Sequence, residues 1–147
     1  VVGDGSRRER YEEEARSKAP GVFQFVGYRE RVYEWLNAAD FFVFPKIFAG
    51  GFSIALREAM SVGLAAVATA GVDSHDEIVT HGVDGLLVPP RDPRALSEAM
   101  QDLLLDEERR REMGKRARDK IVAMFALEPF VEHMDELIRK GSAAGRP

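Results

Sequence analysis

The amino-acid sequence predicts a single doubly wound α/β domain, in which helices flank a parallel β-sheet. Short apolar runs typical of buried strands alternate with longer amphipathic segments typical of helices, and this alternation indicates a parallel sheet. The chain has 147 residues, enough for one domain with a hydrophobic core. Its composition, 45% apolar and 31% charged, is that of an ordinary globular protein.

Apolar runs that end at glycine or proline define the predicted strands. The run at 41–44 consists of apolar residues only, as expected for a strand covered on both faces, and Pro45 ends it. Gly27 likewise ends the run at 22–26. The full set of predicted strands is 1–2, 22–26, 41–44, 64–68 and 86–88.

Capping residues and amphipathic periodicity define the predicted helices. Asp92 followed by Pro93 is a start signal, because a capping carboxylate precedes a proline at the first helical position. The predicted helices are 7–18 with Ser6 as its cap, 31–38, 52–62, one that begins at 93, 106–125, and one that begins at Pro129. The domain is therefore expected to span 1–140, and the small, polar segment 141–147 is expected to be a disordered tail.

Composition narrows the function classes. A net charge of −4 does not favour a nucleic-acid partner, whose binding proteins usually carry a basic surface. The absence of cysteine excludes disulfides, thiol chemistry and cysteine-ligated zinc, and it fits a cytoplasmic protein. No apolar run approaches the length of a membrane span. The chain opens at Val1 without an initiator methionine and in mid-strand, so we expect a fragment.

Two polar patterns could suggest ligand sites, but each has a simpler structural interpretation. Gly3-Asp4-Gly5 resembles the start of a dinucleotide fingerprint, yet Arg8 stands where the third glycine belongs, so a tight turn is favoured. The segment 73–77, Asp-Ser-His-Asp-Glu, could suggest a metal site, but its histidine stands alone. A loop leading into a short helix capped by Ser74 is favoured there.

The best candidate site is the segment 50–60, where two glycines open a helix. Glycines at a helix start let a ligand approach backbone N–H groups, and the helix dipole favours anions such as phosphate there. Glu58, further along the same helix, could accept two hydrogen bonds from the vicinal diol of a ribose. The alternative is a glycine-started helix that carries one solvated glutamate.

The order of the motifs along the chain resembles the large retaining glycosyltransferase family 4, the glycosyl transferases group 1. The resemblance covers residues 1 to about 138, and the ordered set is far more specific than any one motif. The matching landmarks are the segments 2–6, 25–28, 39–45, 51–53, 58–63, 67–69, 77–79 and 82–88.

The resemblance implies the C-terminal, donor-binding half of a GT-B fold, a Rossmann-like domain that binds a nucleotide diphosphate sugar. Glu58 would bind the donor ribose as the second glutamate of the family's E-x7-E motif, and Tyr28 and Arg29 would lie near the base. Transfer would retain anomeric configuration and would need neither metal nor cofactor. The backbone segment implied to meet the sugar and phosphates comprises Gly50, Gly51, Phe52, Ser53 and Ile54.

Three features of the sequence depart from the family pattern. The first glutamate of E-x7-E falls on Gly50, which places the positioning of the transferred sugar in question. The family's Gly-Gly-x-Pro-Glu segment reads Asp-Ser-His-Asp-Glu at 73–77, and Lys46 stands where serine commonly follows the strand-ending proline.

The family's first strand, the following loop with its phosphate-binding Arg and Lys, and the N-terminal acceptor-binding domain are also missing. We therefore expect this chain alone to be inactive, with the missing domain as its partner in a parent protein whose membrane association is left open. Two other hypotheses remain: a degenerate, non-catalytic binding module, and another GT-B enzyme such as a sugar-nucleotide epimerase.

Overall fold

A computed structural model of the chain describes residues 1–144 apart from 49 and 52. It divides into two compact units, Val1–Ala38 and Ala39–Pro147. The first unit contains helices α1 (Arg8–Lys18) and α2 (Val32–Asn37). The predicted Ser6 cap is wrong, because Arg7 occupies the N-cap position of α1 and its side chain makes no capping hydrogen bond.

The strands predicted at 1–2 and 22–26 do not form a ladder. Val2 makes one isolated parallel bridge with Gly27, supported by hydrogen bonds from the Val26 N–H to the Val1 carbonyl (3.0 Å) and from the Gly3 N–H to the Gly27 carbonyl (2.8 Å). The Val1 amino group also donates to the Gln24 carbonyl (2.6 Å), but a strand needs a partner along its length, and these contacts form one bridge and no ladder. Val22, the first residue of the predicted strand 22–26, is 72% exposed.

The second unit contains a parallel sheet of three strands, β1 (Phe42–Phe44), β2 (Ala66–Thr69) and β3 (Gly85–Val88), in the order β1-β2-β3. All residues of the central strand β2 are buried, as the continuous apolar run predicts. The predicted α/β class is confirmed by this sheet and its helices. In chain order these helices are α3 (Ile54–Ser61), α4 (His75–Ile78), α5 (Pro93–Leu105), α6 (Glu107–Phe125) and α7 (Leu127–Ala144).

Each face of the sheet carries its own hydrophobic core, because successive side chains of β2 point to opposite faces. Ala66 and Ala68 pack with Leu56 and Met60 of α3, and with residues of α4 and α6. Val67 packs on the other face with Leu103 of α5. The sheet is thereby fixed between helices, and the loops at its carboxyl edge have a rigid support.

The helices after β3 begin and end close to their predicted positions. The Asp92 carboxylate accepts a hydrogen bond from the Ala95 N–H (2.9 Å), which confirms the predicted cap of α5. Helix α7 continues to Ala144 and so includes 141–144 of the segment predicted to be disordered, while 145–147 lie outside the described residues. None of the described helices combines the length and apolarity that a membrane crossing requires.

Candidate functional site

The candidate site lies where the loops after β1 and β2 meet. Carboxyl ends of parallel strands share one edge of the sheet, and β1 and β2 are neighbours in it. The chain leaving β1 leads to the amino end of α3, whereas the chain leaving β2 leads through Gly71 and Asp73 to α4. Residues of these two loops are therefore brought into contact although more than 20 positions separate them.

Ser53 and His75 form a buried hydrogen-bonded pair at this junction. His75 Nδ1 lies 2.7 Å from the Thr69 carbonyl oxygen and His75 Nε2 lies 2.8 Å from Ser53 Oγ. His75 is 0% and Ser53 3% exposed. Because a carbonyl oxygen can only accept, Nδ1 carries the proton, and in the neutral ring Nε2 accepts the hydroxyl hydrogen of Ser53. The pair ties the end of β2 to the start of α3.

This pairing changes the role of Ser53 as the N-cap of α3. Serine at an N-cap usually accepts a hydrogen bond from an N–H of the first turn, but the Ser53 side chain makes no such bond. The first N–H groups of α3 have no partner within the helix. They are consequently left as donors at an end that the helix dipole makes favourable for anions.

Gly51 precedes this helix end with an open backbone. Its φ of +107° lies in the region that favours glycine, and an added Cβ would meet no atom within 4 Å. The requirement for glycine is therefore conformational, and the space beside the backbone is free for a ligand among the described residues. Ile54, the first residue of α3, is exposed, and Phe52 lies outside the described residues.

Asp73 connects the two loops by a second set of contacts. Its Oδ1 accepts a hydrogen bond from the Gly50 N–H (2.7 Å), and its Oδ2 forms an ion pair with the Lys46 ammonium. The hydrogen bond from Lys46, followed by that from the Gly50 N–H, holds the pKa of Asp73 below its ordinary value. Asp73 is therefore the anion of an ion pair with Lys46 at the edge of the candidate site.

The remaining predicted site residues are exposed. The Glu58 side chain on α3 is exposed, and no described residue donates a hydrogen bond to its carboxylate. Tyr28 and Arg29 belong to the Val1–Ala38 unit and are described there alone. Tyr28 is exposed, and the Arg29 guanidinium lies 5.6 Å from the centre of the Trp35 ring.

His75 is a functional candidate that its sequence pattern does not single out. The segment 73–77 predicts a polar loop leading into a short helix, yet His75 is as buried as the apolar residues around it. The available signal is spacing: Val72, His75 and Ile78 recur every three residues and all are buried. In the described residues no cluster of three or more His, Cys, Asp or Glu side chains is suited to hold a metal ion.

A parallel sheet with helices on both faces and a glycine-led helix start at its carboxyl edge defines a Rossmann-like domain of the GT-B type. The chain belongs to the glycosyl transferases group 1 family, whose model matches residues 1–120. This membership and the fold confirm the resemblance read from the order of the motifs.

Individual relatives are similar over most of this chain and over a minor part of their own. Exopolysaccharide phosphotransferase SCO2592 of Streptomyces coelicolor is 38% identical over 104 residues, 71% of this chain and 11% of the relative. N-acetyl-alpha-D-glucosaminyl L-malate synthase of Bacillus anthracis is 30% identical over 113 residues, 77% of this chain and 29% of the relative. The chain thus spans less than a third of either protein.

Solved structures agree on the fold. Sucrose-phosphate synthase from Thermosynechococcus elongatus has a TM-score of 0.82 at 33% identity and covers 96% of this chain and 36% of its own. Anabaena Alr3699/HepE in complex with UDP and glucose has a TM-score of 0.82 at 20% identity, over 95% of this chain and 39% of its own. At 20% identity, the similarity to HepE concerns the fold alone.

Proposed function

We propose that this chain is the donor-binding portion of a retaining glycosyltransferase, which transfers a sugar from a nucleotide diphosphate sugar to an acceptor. The observation that carries the proposal is the amino end of α3, where Gly51 opens the backbone and Ser53 leaves the first N–H groups uncapped. Family membership supports the same chemistry. The transferase activity belongs to a parent protein in which this chain is one part.

Each proposed contact follows from the chemistry of the donor. Backbone N–H groups from Gly51 to Ile54 bind the diphosphate, whose negative charge the helix dipole favours. The Glu58 carboxylate accepts hydrogen bonds from the ribose diol, one helical turn (about 6 Å along the axis) beyond Ile54. The family resemblance also implies that Tyr28 and Arg29 lie near the base, and this assignment stays a prediction. No metal is required, because the helix end and the phosphate-binding Arg and Lys that the family resemblance implies for the parent protein neutralise the leaving diphosphate.

The rest of the parent protein supplies the acceptor site. The names of relatives differ in their acceptors, as in N-acetyl-alpha-D-glucosaminyl L-malate synthase and phosphatidyl-myo-inositol mannosyltransferase. The proposal therefore names the donor class and leaves the acceptor to the remaining domain. Purified chain that transfers sugar from any nucleotide sugar by itself would contradict this division of labour.

Thermal unfolding with and without nucleotide sugars tests the proposal. A donor at 100 times its Kd should raise the free energy of unfolding by about 2.7 kcal/mol, which is a Tm rise of roughly 5–10 °C for a chain of this size. The panel is UDP-glucose, GDP-mannose and ADP-glucose, and UDP-glucose comes first because HepE was solved in complex with it.

Glu58→Ala should remove most of the rise, whereas Glu112→Ala, an exposed glutamate on α6, should leave it unchanged. A rise that survives Glu58→Ala would show that the ribose contact is assigned to the wrong residue. A cooperative transition that no nucleotide sugar moves would contradict donor binding.

Gly50 favours one competing function, a degenerate module that binds but does not transfer. Among the described residues the position has no steric need for glycine, because an added Cβ would meet none of their atoms within 4 Å and its φ lies outside the left-handed region. Gly50→Glu can therefore be tested in the parent protein without strain. A large gain in transferase activity would indicate a degenerate site, and loss of an existing activity would indicate a site rearranged to work without that glutamate.

A further inference from the structure

Asp73, one of the positions at which this sequence departs from its family pattern, contacts two others, Lys46 and Gly50. Lys46 follows β1, Gly50 precedes α3, and Asp73 follows β2, so nothing in their spacing predicts a cluster. In the structure the Asp73 carboxylate binds the Gly50 N–H through one oxygen, at 2.7 Å, and the Lys46 ammonium through the other. The departures are therefore one arrangement rather than three independent changes.

The backbone at Asp73 explains how a carboxylate can be placed there. Its φ is +51°, in the left-handed region. Glycine, which the family pattern has at this position, adopts that region without steric cost. Aspartate is among the few other residues that adopt this conformation readily. Asp73 thus keeps a backbone shape suited to glycine and adds a negative side chain to it.

The contacts of Asp73 hold the backbone that leads into the candidate site. Its side chain is 4% exposed, so its charge is largely removed from water and needs the Lys46 cation beside it. The Gly50 N–H is bound at short distance by a charged acceptor, the stronger class of hydrogen bond. Because the pair is neutral overall, it fixes this backbone without presenting a free negative charge to a diphosphate.

We propose that Asp73, neutralised by Lys46, is the positioning residue that fixes the Gly50–Gly51 backbone for donor binding. The proposal rests on the proposed function above. The glutamate that the family usually has at position 50 would act through its side chain. In this chain the loop is instead held at the Gly50 amide by Asp73, which belongs to the neighbouring loop. Asp73 acts through Gly50 and needs no contact with the donor.

Two substitutions separate the hydrogen bond from the charge. Asp73→Ala loses both and should raise the Kd for UDP-glucose about tenfold, the size expected for loss of a charge-assisted hydrogen bond. Asp73→Asn retains an oxygen acceptor for the Gly50 N–H and should raise the Kd by only about threefold. Asp76→Ala is the matched control, since Asp76 likewise accepts from a glycine N–H, that of Gly71, at 2.6 Å. It should leave the Kd unchanged.

Charge balance supplies a second test. Lys46→Met leaves the Asp73 carboxylate without its cation, close to the place proposed for the donor diphosphate, and should weaken UDP-glucose binding. Adding Asp73→Asn to Lys46→Met should recover binding, because the uncompensated charge is then removed. If the ion pair only stabilised the fold, Lys46→Met would lower the Tm of the ligand-free chain, and the Kd for UDP-glucose measured well below that Tm would not change.

Amide hydrogen exchange at Gly50 in the ligand-free chain tests the contact without any donor. Exchange should accelerate in Asp73→Ala and stay slow in Asp73→Asn. Two results would overturn the positioning role and leave the proposed function intact. One is an unchanged exchange rate at Gly50 in Asp73→Ala. The other is an unchanged Kd of Asp73→Ala for UDP-glucose when the unsubstituted chain binds that ligand. If the unsubstituted chain binds no nucleotide sugar, the proposed function fails and this inference falls with it.

Discussion

Removing the Ser53 hydroxyl should destabilise the protein far more than the loss of a surface serine would. In Ser53→Ala the Nε2 atom of His75, which is 0% exposed, loses its hydrogen-bond partner 2.8 Å away. A buried polar atom left without a partner costs about 1–3 kcal/mol. The ordinary penalty for losing an N-cap does not add to this, because the Ser53 side chain makes no capping bond. The lost partner of His75 therefore accounts for the expected cost.

Thermal unfolding gives the measurement. At the middle of that range, about 2 kcal/mol, a Tm decrease of roughly 4–8 °C is expected from 2–4 °C per kcal/mol for a chain of this size. Ser61→Ala is the control, because its hydroxyl donates to the Glu58 carbonyl at an accessible position (2.8 Å), and it should stay within about 0.5 kcal/mol. In a His75→Phe background Ser53→Ala should cost much less, since no buried nitrogen loses a partner. An unchanged Tm in Ser53→Ala would refute the buried pair.

Two further predictions concern stability. Asp73 has a lowered pKa in the folded state, so the stability that it contributes is complete above the ordinary aspartate pKa of about 3.9 and is lost as pH falls through the lower folded pKa. The difference in unfolding free energy between the unsubstituted chain and Asp73→Asn should therefore shrink below about pH 4, and a constant difference would contradict it. Gly114→Ala would place a Cβ 2.1 Å from the Gly63 carbonyl oxygen. Overpacking should cost about 3 kcal/mol and the higher helix propensity of alanine should return about 1 kcal/mol, so the free energy of unfolding measured with denaturant should fall by about 2 kcal/mol. Gly5→Ala, whose Cβ would meet nothing within 4 Å, should be close to neutral, and equal effects of the two changes would contradict the clash.

The elements that could be predicted from the sequence are those whose signals are local. Helix α5 begins at Pro93 because Asp92 caps it, and β2 and β3 are short apolar runs within two residues of their predicted bounds. The predicted strand at 22–26 failed because a strand depends on a partner, and the apolar run gives no information about whether one lies beside it. Local pattern thus predicted the strands that have partners in the sheet, but it could not show that 22–26 has none along its length.

The candidate site shows the same division. Gly51 and the start of α3 could be located from sequence, since glycines before an amphipathic run mark an accessible helix end. The pairing of Ser53 with His75 could not, because it depends on β1 and β2 being neighbours, which brings together loops 22 positions apart. The role of Glu58 stays a prediction, since its side chain is exposed and a ligand experiment is needed to test it.

The contacts of Asp73 favour a rearranged, working site over a degenerate one. Changes in a site that has lost its function need not compensate one another, because no geometry has to be kept. Here the Asp73 carboxylate is nearly buried and would be strongly destabilising without the Lys46 ammonium, so the presence of one requires the other. The same carboxylate binds the backbone at Gly50, the position where the family's glutamate is missing. Asp73 and Lys46 therefore hold the same loop that lacks the family's glutamate, and this loop leads to the end of α3 at which the diphosphate is proposed to bind.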